Sequence, residues 1–99
     1  MKSTISERSI FMPSKEQVSC DLAGEAVILN FKDGIYYGLD AIGASVWELI
    51  QKSKTVKEIR DSILENYDVE PDHCKNDLIA LLNDLKTIGL IEIKNETLK

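Results

Sequence analysis

Two short runs of β-type residues, separated by a turn sequence, stand out in the first half of the chain. Residues 25–31 read Glu-Ala-Val-Ile-Leu-Asn-Phe and residues 35–39 read Ile-Tyr-Tyr-Gly-Leu, with Lys-Asp-Gly between them. Asp-Gly between two such runs is typical of a tight turn, because both residues tolerate positive φ. The pattern therefore predicts a β-hairpin.

The register of this hairpin depends on the length of its loop. A two-residue loop pairs Phe31 with Tyr36 and Leu29 with Gly38, and a longer loop shifts this pairing. A slip of one residue would exchange the two faces of the hairpin. The residues on the other face of the two-residue register are Ile28, Tyr37 and Leu39. The sequence alone leaves both registers open.

Weaker patterns on either side predict further strands. Residues 17–22 alternate apolar with polar, and residues 8–12 form a less regular candidate that Pro13 stops. The apolar residues 90–93 could return to a sheet as a last strand, and we expect residues 95–99 to fray.

The next fifty residues have helical periodicity. Asp40 is a suitable N-cap for a first helix that runs through Ser53. Thr55 and Glu58 have the spacing of a capping box, in which each side chain bonds to the other residue's backbone N–H. These two signals predict helices on both sides of position 54.

A third helix begins at Pro71 and ends at Gly89, since proline suits the first turn and glycine the left-handed position after the last. Its apolar stripe contains Cys74, Leu78, Leu81, Leu82, Leu85 and Ile88. Two or three antiparallel strands, then three helices and a possible last strand, predict an α+β fold, and helices of these lengths joined by short turns resemble a winged helix-turn-helix arrangement.

Composition and charge narrow the class of function. The 99 residues suffice for one domain, which we take to be residues 1–99 with an ordered core of about 17–93. The formal charge of −5, from 12 basic and 17 acidic residues, disfavours nucleic acid as a partner. The best basic cluster, Lys52, Lys54, Lys57 and Arg60, is interleaved with acidic residues and is typical of a solvated face.

The absence of membrane and secretion signals in the sequence indicates where the protein is located in the cell. It has neither an apolar run long enough to span a bilayer nor an N-terminal apolar core of signal-peptide length. Cys20 and Cys74 are far apart and show no metal or redox spacing, which favours reduced thiols in a cytoplasm. We therefore expect a cytoplasmic protein with no membrane partner.

Candidate chemistry is sparse. His73 and Cys74 are the best candidates for a catalytic thiol and its base. Neighbouring residues on a helix point about 100° apart, however, and Cys74 lies on the apolar stripe, which favours a buried structural thiol. A zinc site from these two residues and Cys20 would need a fourth ligand. We expect no catalytic residue, no metal and no cofactor.

The strand at 35–39 is more informative. A glycine within a strand often marks a place where another backbone comes close, and Tyr36 and Tyr37 offer large contact area. At a sheet edge, this strand could pair with an incoming peptide. Equally, the tyrosines could divide between core and surface while Gly38 makes room for Trp47.

Several ordered motifs resemble the PqqD-like family. They are Val27-Ile28-Leu29-Asn30, Asp33-Gly34-Ile35-Tyr36-Tyr37-Gly38-Leu39-Asp40, Ile42-Gly43, Val46-Trp47-Glu48-Leu49-Ile50, Thr55-Val56-Lys57-Glu58-Ile59, Tyr67-Asp68-Val69, Asp77-Leu78, Leu81-Leu82, Leu85 and Gly89-Leu90-Ile91. The resemblance covers about residues 17–93.

This resemblance implies a winged helix-turn-helix-like fold, with a three-stranded antiparallel sheet followed by three helices. It also implies a non-catalytic recognition element for ribosomally synthesised precursor peptides. The leader segment of the precursor would add as a strand to residues 35–39, in a groove closed by the third helix. The implied leader-binding residues are Ile35, Tyr36, Tyr37, Gly38, Leu39, Cys74, Asp77, Leu78, Leu81 and Leu82. Leu78 and Leu81 are the best candidates for the groove wall, with Cys74, Asp77 and Leu82 behind them.

Within the family, the chain most resembles the stand-alone recognition proteins of lasso peptide clusters. That resemblance implies delivery of the precursor to a separate leader peptidase. Alternatives are a chaperone that serves a radical SAM enzyme and, from a different class, a winged-helix DNA-binding regulator. We expect a monomer or weak dimer, because an exposed edge strand can pair with a second copy.

Overall fold

Strands precede helices along the chain, as the sequence predicts. A computed structural model describes residues 5–94. The strands are β1 (Ile10–Pro13), β2 (Gln17–Leu22), β3 (Glu25–Asn30), β4 (Ile35–Leu39) and β5 (Ile91–Lys94), and the helices are α1 (Ala41–Gln51), α2 (Val56–Asn66) and α3 (Pro71–Ile88). The predicted fraying at 95–99, like both ends of the predicted 1–99 domain, lies outside the described residues.

The strands form two antiparallel sheets. One has three strands in the order β2-β3-β4, and the other pairs β1 with β5. The predicted α+β class, with a three-stranded antiparallel sheet followed by three helices, is confirmed. The weak strand candidate at 8–12 corresponds to β1, which includes Pro13, and the apolar tail returns as β5 opposite it.

The β3–β4 hairpin adopts the longer of the two loops. Residues 31–34 form the loop, and Leu29 pairs with Tyr36 where a two-residue loop would pair it with Gly38. Gly34 supplies the left-handed position at φ 71°, and its N–H donates to the Asn30 carbonyl at 2.8 Å. A shift of two residues leaves each side chain on its original face, because side chains alternate with period two.

Caps fix the ends of the helices. The Asp40 side chain accepts a hydrogen bond from the first turn of α1, and Thr55 and Glu58 form the predicted capping box of α2. Gly89 ends α3 at φ 98°. Helix α1 ends at Gln51, earlier than predicted, because the backbone of Ser53 is left-handed (φ 60°).

The core lies between one face of the three-stranded sheet and the helices. Ile28 is fully buried on that face, and Trp47 packs there and donates its indole N–H to Ser19 Oγ at 3.1 Å. The buried Asn30 donates its side-chain amide to the Ile88 carbonyl at 3.3 Å, which ties the hairpin to the end of α3. None of the helices in this described part of the chain could cross a membrane.

Candidate functional site

The direction of the backbone groups on β3 follows from one hydrogen bond. Phe31, directly after β3, donates its N–H to the Glu16 carbonyl on the β2 side at 2.9 Å. Because successive residues of a strand direct their backbone groups to opposite sides, those of Asn30 point toward β4. The hydrogen bond from Gly34 to the Asn30 carbonyl, at 2.8 Å, agrees with this assignment.

The same alternation directs two residues of β4 to the free edge of the sheet. Asn30 pairs with Ile35, so the odd-numbered residues of β4 bond to β3. Tyr36 and Gly38 therefore direct their N–H and C=O groups away from β3. Within residues 5–94, no strand pairs with β4 on that side. Such an edge can template another strand.

The two edges of the sheet differ in how they are protected. Strand β2 carries an exposed charge, Asp21, whose carboxylate accepts a hydrogen bond from the Gly24 N–H at 3.3 Å. Charged side chains on an edge strand discourage pairing with other chains. Strand β4 has neither a charged residue nor a proline. It is therefore the edge that accepts an added strand more readily.

Gly38 does not make room for Trp47. A Cβ at Gly38 would meet nothing within 4 Å, and Gly38 lies on the exposed face of the sheet. Trp47 is on the other face, where it bonds to Ser19. The interpretation that Gly38 accommodates the indole ring is therefore wrong.

A groove of about 590 Å³ lies beside this free edge, bounded by β4, α1 and α3. Six of the ten predicted site residues line it: Gly38, Leu39, Cys74, Asp77, Leu78 and Leu81. Ile35, Tyr36 and Tyr37 lie on β4 outside the groove, and Leu82 is fully buried in the core behind it.

Helix α1 supplies a wall of the groove that was not predicted from the sequence. Ile42 and Val46 line the groove, whereas their spacing predicts only that they belong to a helix. An added Cβ at Gly43 would lie 3.1 Å from Leu39 Cβ, so this glycine lets α1 begin close to β4. A glycine within a helical pattern is the feature that could have indicated such a close approach.

The floor of the groove is apolar and its rim is acidic. Leu78 and Cys74 are buried on its α3 side, and Leu81 is half-buried there. Asp40, Glu70 and Asp77 supply carboxylates among the lining residues. A long apolar groove beside unpaired strand edges suits an extended peptide, whose backbone and side chains it would bind separately.

Comparison with known proteins identifies the family. Residues 25–91 match the PqqD family, described as coenzyme PQQ synthesis protein D. The chain belongs to the PqqD family. The resemblance found in the sequence is thus confirmed. No curated protein sequence matches the chain.

Solved structures share the fold of this PqqD family member. TbiB1 in complex with the TbiA(beta) leader peptide is 34% identical, with a TM-score of 0.77 over 82% of this chain and 94% of that chain. Lasso peptide synthetase B1 complexed with the leader peptide is 21% identical, with a TM-score of 0.75 over 83% of this chain and 96% of that chain.

The turn before β4 is held by one carboxylate. Asp33 accepts a hydrogen bond from the Tyr37 hydroxyl at 2.7 Å and another from the Ile35 N–H at 2.9 Å. These bonds lower the pKa of Asp33, and the same contact with Asp33 raises the pKa of Tyr37. The ionised Asp33 therefore fixes the start of β4 and the position of the Tyr37 ring.

The surroundings of Cys74 and His73 in this PqqD family member do not favour a nucleophile and its base. Burial raises the pKa of the Cys74 thiol, which opposes formation of the reactive thiolate. The His73 side chain is 78% exposed and lies 3.9 Å from Glu70. Cys20 is on the exposed face of the sheet, away from both. In residues 5–94 no group of three or more potential ligands could hold a metal ion.

Proposed function

We propose that this PqqD family member binds the leader segment of a ribosomally synthesised precursor peptide as an additional antiparallel strand on β4. The free backbone groups of Tyr36 and Gly38, beside an apolar groove, are the observation that carries this proposal. Main-chain hydrogen bonds would supply affinity, and the groove would select side chains. TbiB1, at 34% identity, was solved with a leader peptide, which supports the same role here.

The residues of the site have separate roles in this proposal. Strand β4, Ile35–Leu39, is the docking strand. Alternate side chains of the leader enter the groove, where Leu78 and Leu81 contact them and Cys74 closes the floor. Asp77 accepts a hydrogen bond from the leader at the rim. Leu82 holds the leucine wall from within the core.

The protein performs no chemistry in this proposal but delivers the leader to an enzyme. By raising the local concentration of precursor at its partner, a binding module accelerates a reaction without catalysing it. We propose a separate leader peptidase of a lasso peptide pathway as that partner. The family description as a PQQ synthesis protein favours, as a second candidate, a chaperone with the same groove and a radical SAM partner.

A titration tests the binding proposal. A labelled synthetic leader of the precursor encoded beside this chain is titrated with the protein and followed by fluorescence anisotropy. A scrambled leader and a DNA duplex are the controls. We expect saturable binding of the leader alone. Salt-sensitive binding of the duplex without leader binding would instead indicate a transcriptional role.

A further inference from the structure

The face of the three-stranded sheet that points away from the helices is apolar. We call it the outer face; besides Glu25 and Gly38 it comprises the apolar residues Val18, Cys20, Leu22, Val27, Leu29 and Tyr36. Val18 is 53% exposed, Leu22 is 54% exposed and Tyr36 is 69% exposed. Every mainly exposed large apolar side chain within residues 5–94 belongs to this sheet or to its β3–β4 loop. Concentrated apolar exposure of this kind marks an interaction surface.

Strand β2 is inverted relative to an ordinary half-buried strand. Its polar residues lie on the helix-facing side, where Ser19 accepts the hydrogen bond from the Trp47 indole. Its apolar residues Val18 and Leu22 therefore face solvent. Because an antiparallel sheet usually keeps polar side chains on its solvated face, this arrangement indicates that the outer face is a surface for a partner.

The charge around the outer face indicates the chemistry of that partner. The three strands of the sheet and their connecting turns, residues 17–39, contain three acidic residues, Asp21, Glu25 and Asp33, and one basic residue, Lys32. Glu25 lies on the outer face opposite Leu22, and Lys32 is 3.8 Å from Glu16. A complementary surface has an apolar centre with a rim of lysine and arginine.

We propose that the outer face docks the enzyme that acts on the captured precursor, through an apolar patch with a basic rim. This inference rests on the proposed function. A leader strand on β4 would become a fourth strand of the sheet, and its outward side chains would lie beside Tyr36 on the outer face. An enzyme on this face contacts the sheet and the leader together, so each ligand strengthens binding of the other.

Charge argues against a second copy of the chain as the occupant. Two outer faces packed together would oppose their own acidic rims, and like charges across an interface are unfavourable. A basic-rimmed partner gains electrostatic attraction from the same residues. Enzyme docking should therefore weaken as salt rises, through slower association.

Point variants on β2 test the docking surface. The probe is the purified leader peptidase that we propose as the partner, with its affinity measured by biolayer interferometry with and without leader. Val18→Lys and Leu22→Lys each place a charge on the outer face, and Asn83→Lys adds the same charge at an exposed position of α3. We expect the two outer-face variants to bind the peptidase at least about ten-fold more weakly, and the control to change by less than about two-fold.

A second measurement needs no variant. Cys20 is exposed on the outer face and Cys74 is buried, so the alkylation rate of Cys20 reports coverage of this face. We expect the peptidase to protect Cys20. The leader alone should leave it reactive, since an added strand at the β4 edge would lie three strand spacings from β2, about 14 Å.

The outcomes separate the two proposals. Failure of the wild-type chain to bind its leader would contradict the proposed function. Two results would overturn the docking surface alone, provided that leader binding is normal. In the first, the peptidase does not bind the wild-type chain. In the second, it binds Val18→Lys as tightly as wild type and leaves Cys20 reactive. Protection of Cys20 that depends only on the chain's own concentration would assign the outer face to a second copy and overturn it too.

Discussion

The substitution Gly38→Pro tests the role of the free edge of β4 without removing a hydrogen bond of the existing sheet. The Gly38 N–H points away from β3, so proline at this position removes no hydrogen bond of the existing sheet. Proline is accepted on edge strands where the missing N–H would face solvent. The same change removes the donor that an added leader strand would use, and fixes φ in the docking strand.

The expected loss of affinity follows from one edge hydrogen bond. Its net contribution is about 1 kcal/mol, and the leader carbonyl left buried without a donor costs a further ~1–3 kcal/mol. The sum of ~2–4 kcal/mol corresponds to a dissociation constant raised roughly 30- to 1000-fold. Binding at the concentrations used for the wild-type chain would be abolished.

Gly38→Ala is the matched control. It keeps the N–H, and its Cβ meets nothing within 4 Å. Glycine in a strand is less favourable than alanine by about 0.5–1 kcal/mol, so this variant should be at least as stable as wild type. We expect its leader affinity to stay within about two-fold of wild type, since it loses no contact.

Leader anisotropy and urea unfolding, measured on the same three proteins, decide the question. Unfolding shows whether each variant is folded at the assay temperature. A folded Gly38→Pro protein that binds leader as tightly as Gly38→Ala would refute strand addition on β4. Loss of binding in both variants would instead show that the open face at Gly38 contacts the leader directly.

Three further predictions concern the groove, the turn and the thiol. Leu81→Ala should weaken leader binding by about 5- to 30-fold, because burying the exposed part of a half-buried leucine contributes roughly 1–2 kcal/mol. Leu82→Ala, in the core, should mainly lower the free energy of unfolding, by ~2–5 kcal/mol. Equal effects of the two variants on leader affinity at matched stability would contradict the assigned roles. Because the pKa of Asp33 is lowered in the folded protein, its contribution to stability is present above the unfolded pKa and is lost as pH falls through the folded pKa. Asp33→Asn should therefore flatten the acid limb of a curve of unfolding free energy against pH. An unchanged limb would show that the bond from Tyr37 does not stabilise the hairpin. Cys74→Ala should leave the rate of leader removal by the partner peptidase unchanged at saturating recognition protein, and a loss of turnover at full occupancy would indicate a catalytic thiol.

Local signals predicted most of the architecture. The hairpin, the capping box at Thr55 and Glu58 and the glycine stop at Gly89 each depend on residues a few positions apart, and the structure has all of them. The hairpin register could not be settled, because Asp-Gly fits a two-residue loop as well as the four-residue loop that is present. One contact of the observed loop is not local, since the Asn30 side-chain amide bonds to the Ile88 carbonyl on α3.

The parts of the site that lie within one strand or helix were predictable from the sequence. The parts that depend on how two elements pack together were not. The residues of 35–39 indicated a strand that could pair with a peptide at a sheet edge, and the strand order β2-β3-β4 then placed it at that edge. The α1 wall depends on how closely that helix approaches Leu39, which periodicity does not report. The outward orientation of Val18 and Leu22 was equally hidden, because alternation shows that a strand has two faces without showing which one the helices cover.

The pairing of β1 with β5 sets an order on the formation of the molecule. Ile10 lies opposite Lys94, so this small sheet closes a loop of nearly the whole described chain, whereas each strand of the three-stranded sheet joins its neighbour through a short turn. Local pairings form early, and contacts between distant residues form late. As the chain leaves the ribosome, β4 can therefore be in place before α3 exists, and its bare edge is open to unwanted strands throughout that interval. The exposure that suits β4 to recognition is thus a hazard during synthesis, and α3 reduces this hazard when it forms one side of the groove beside that edge.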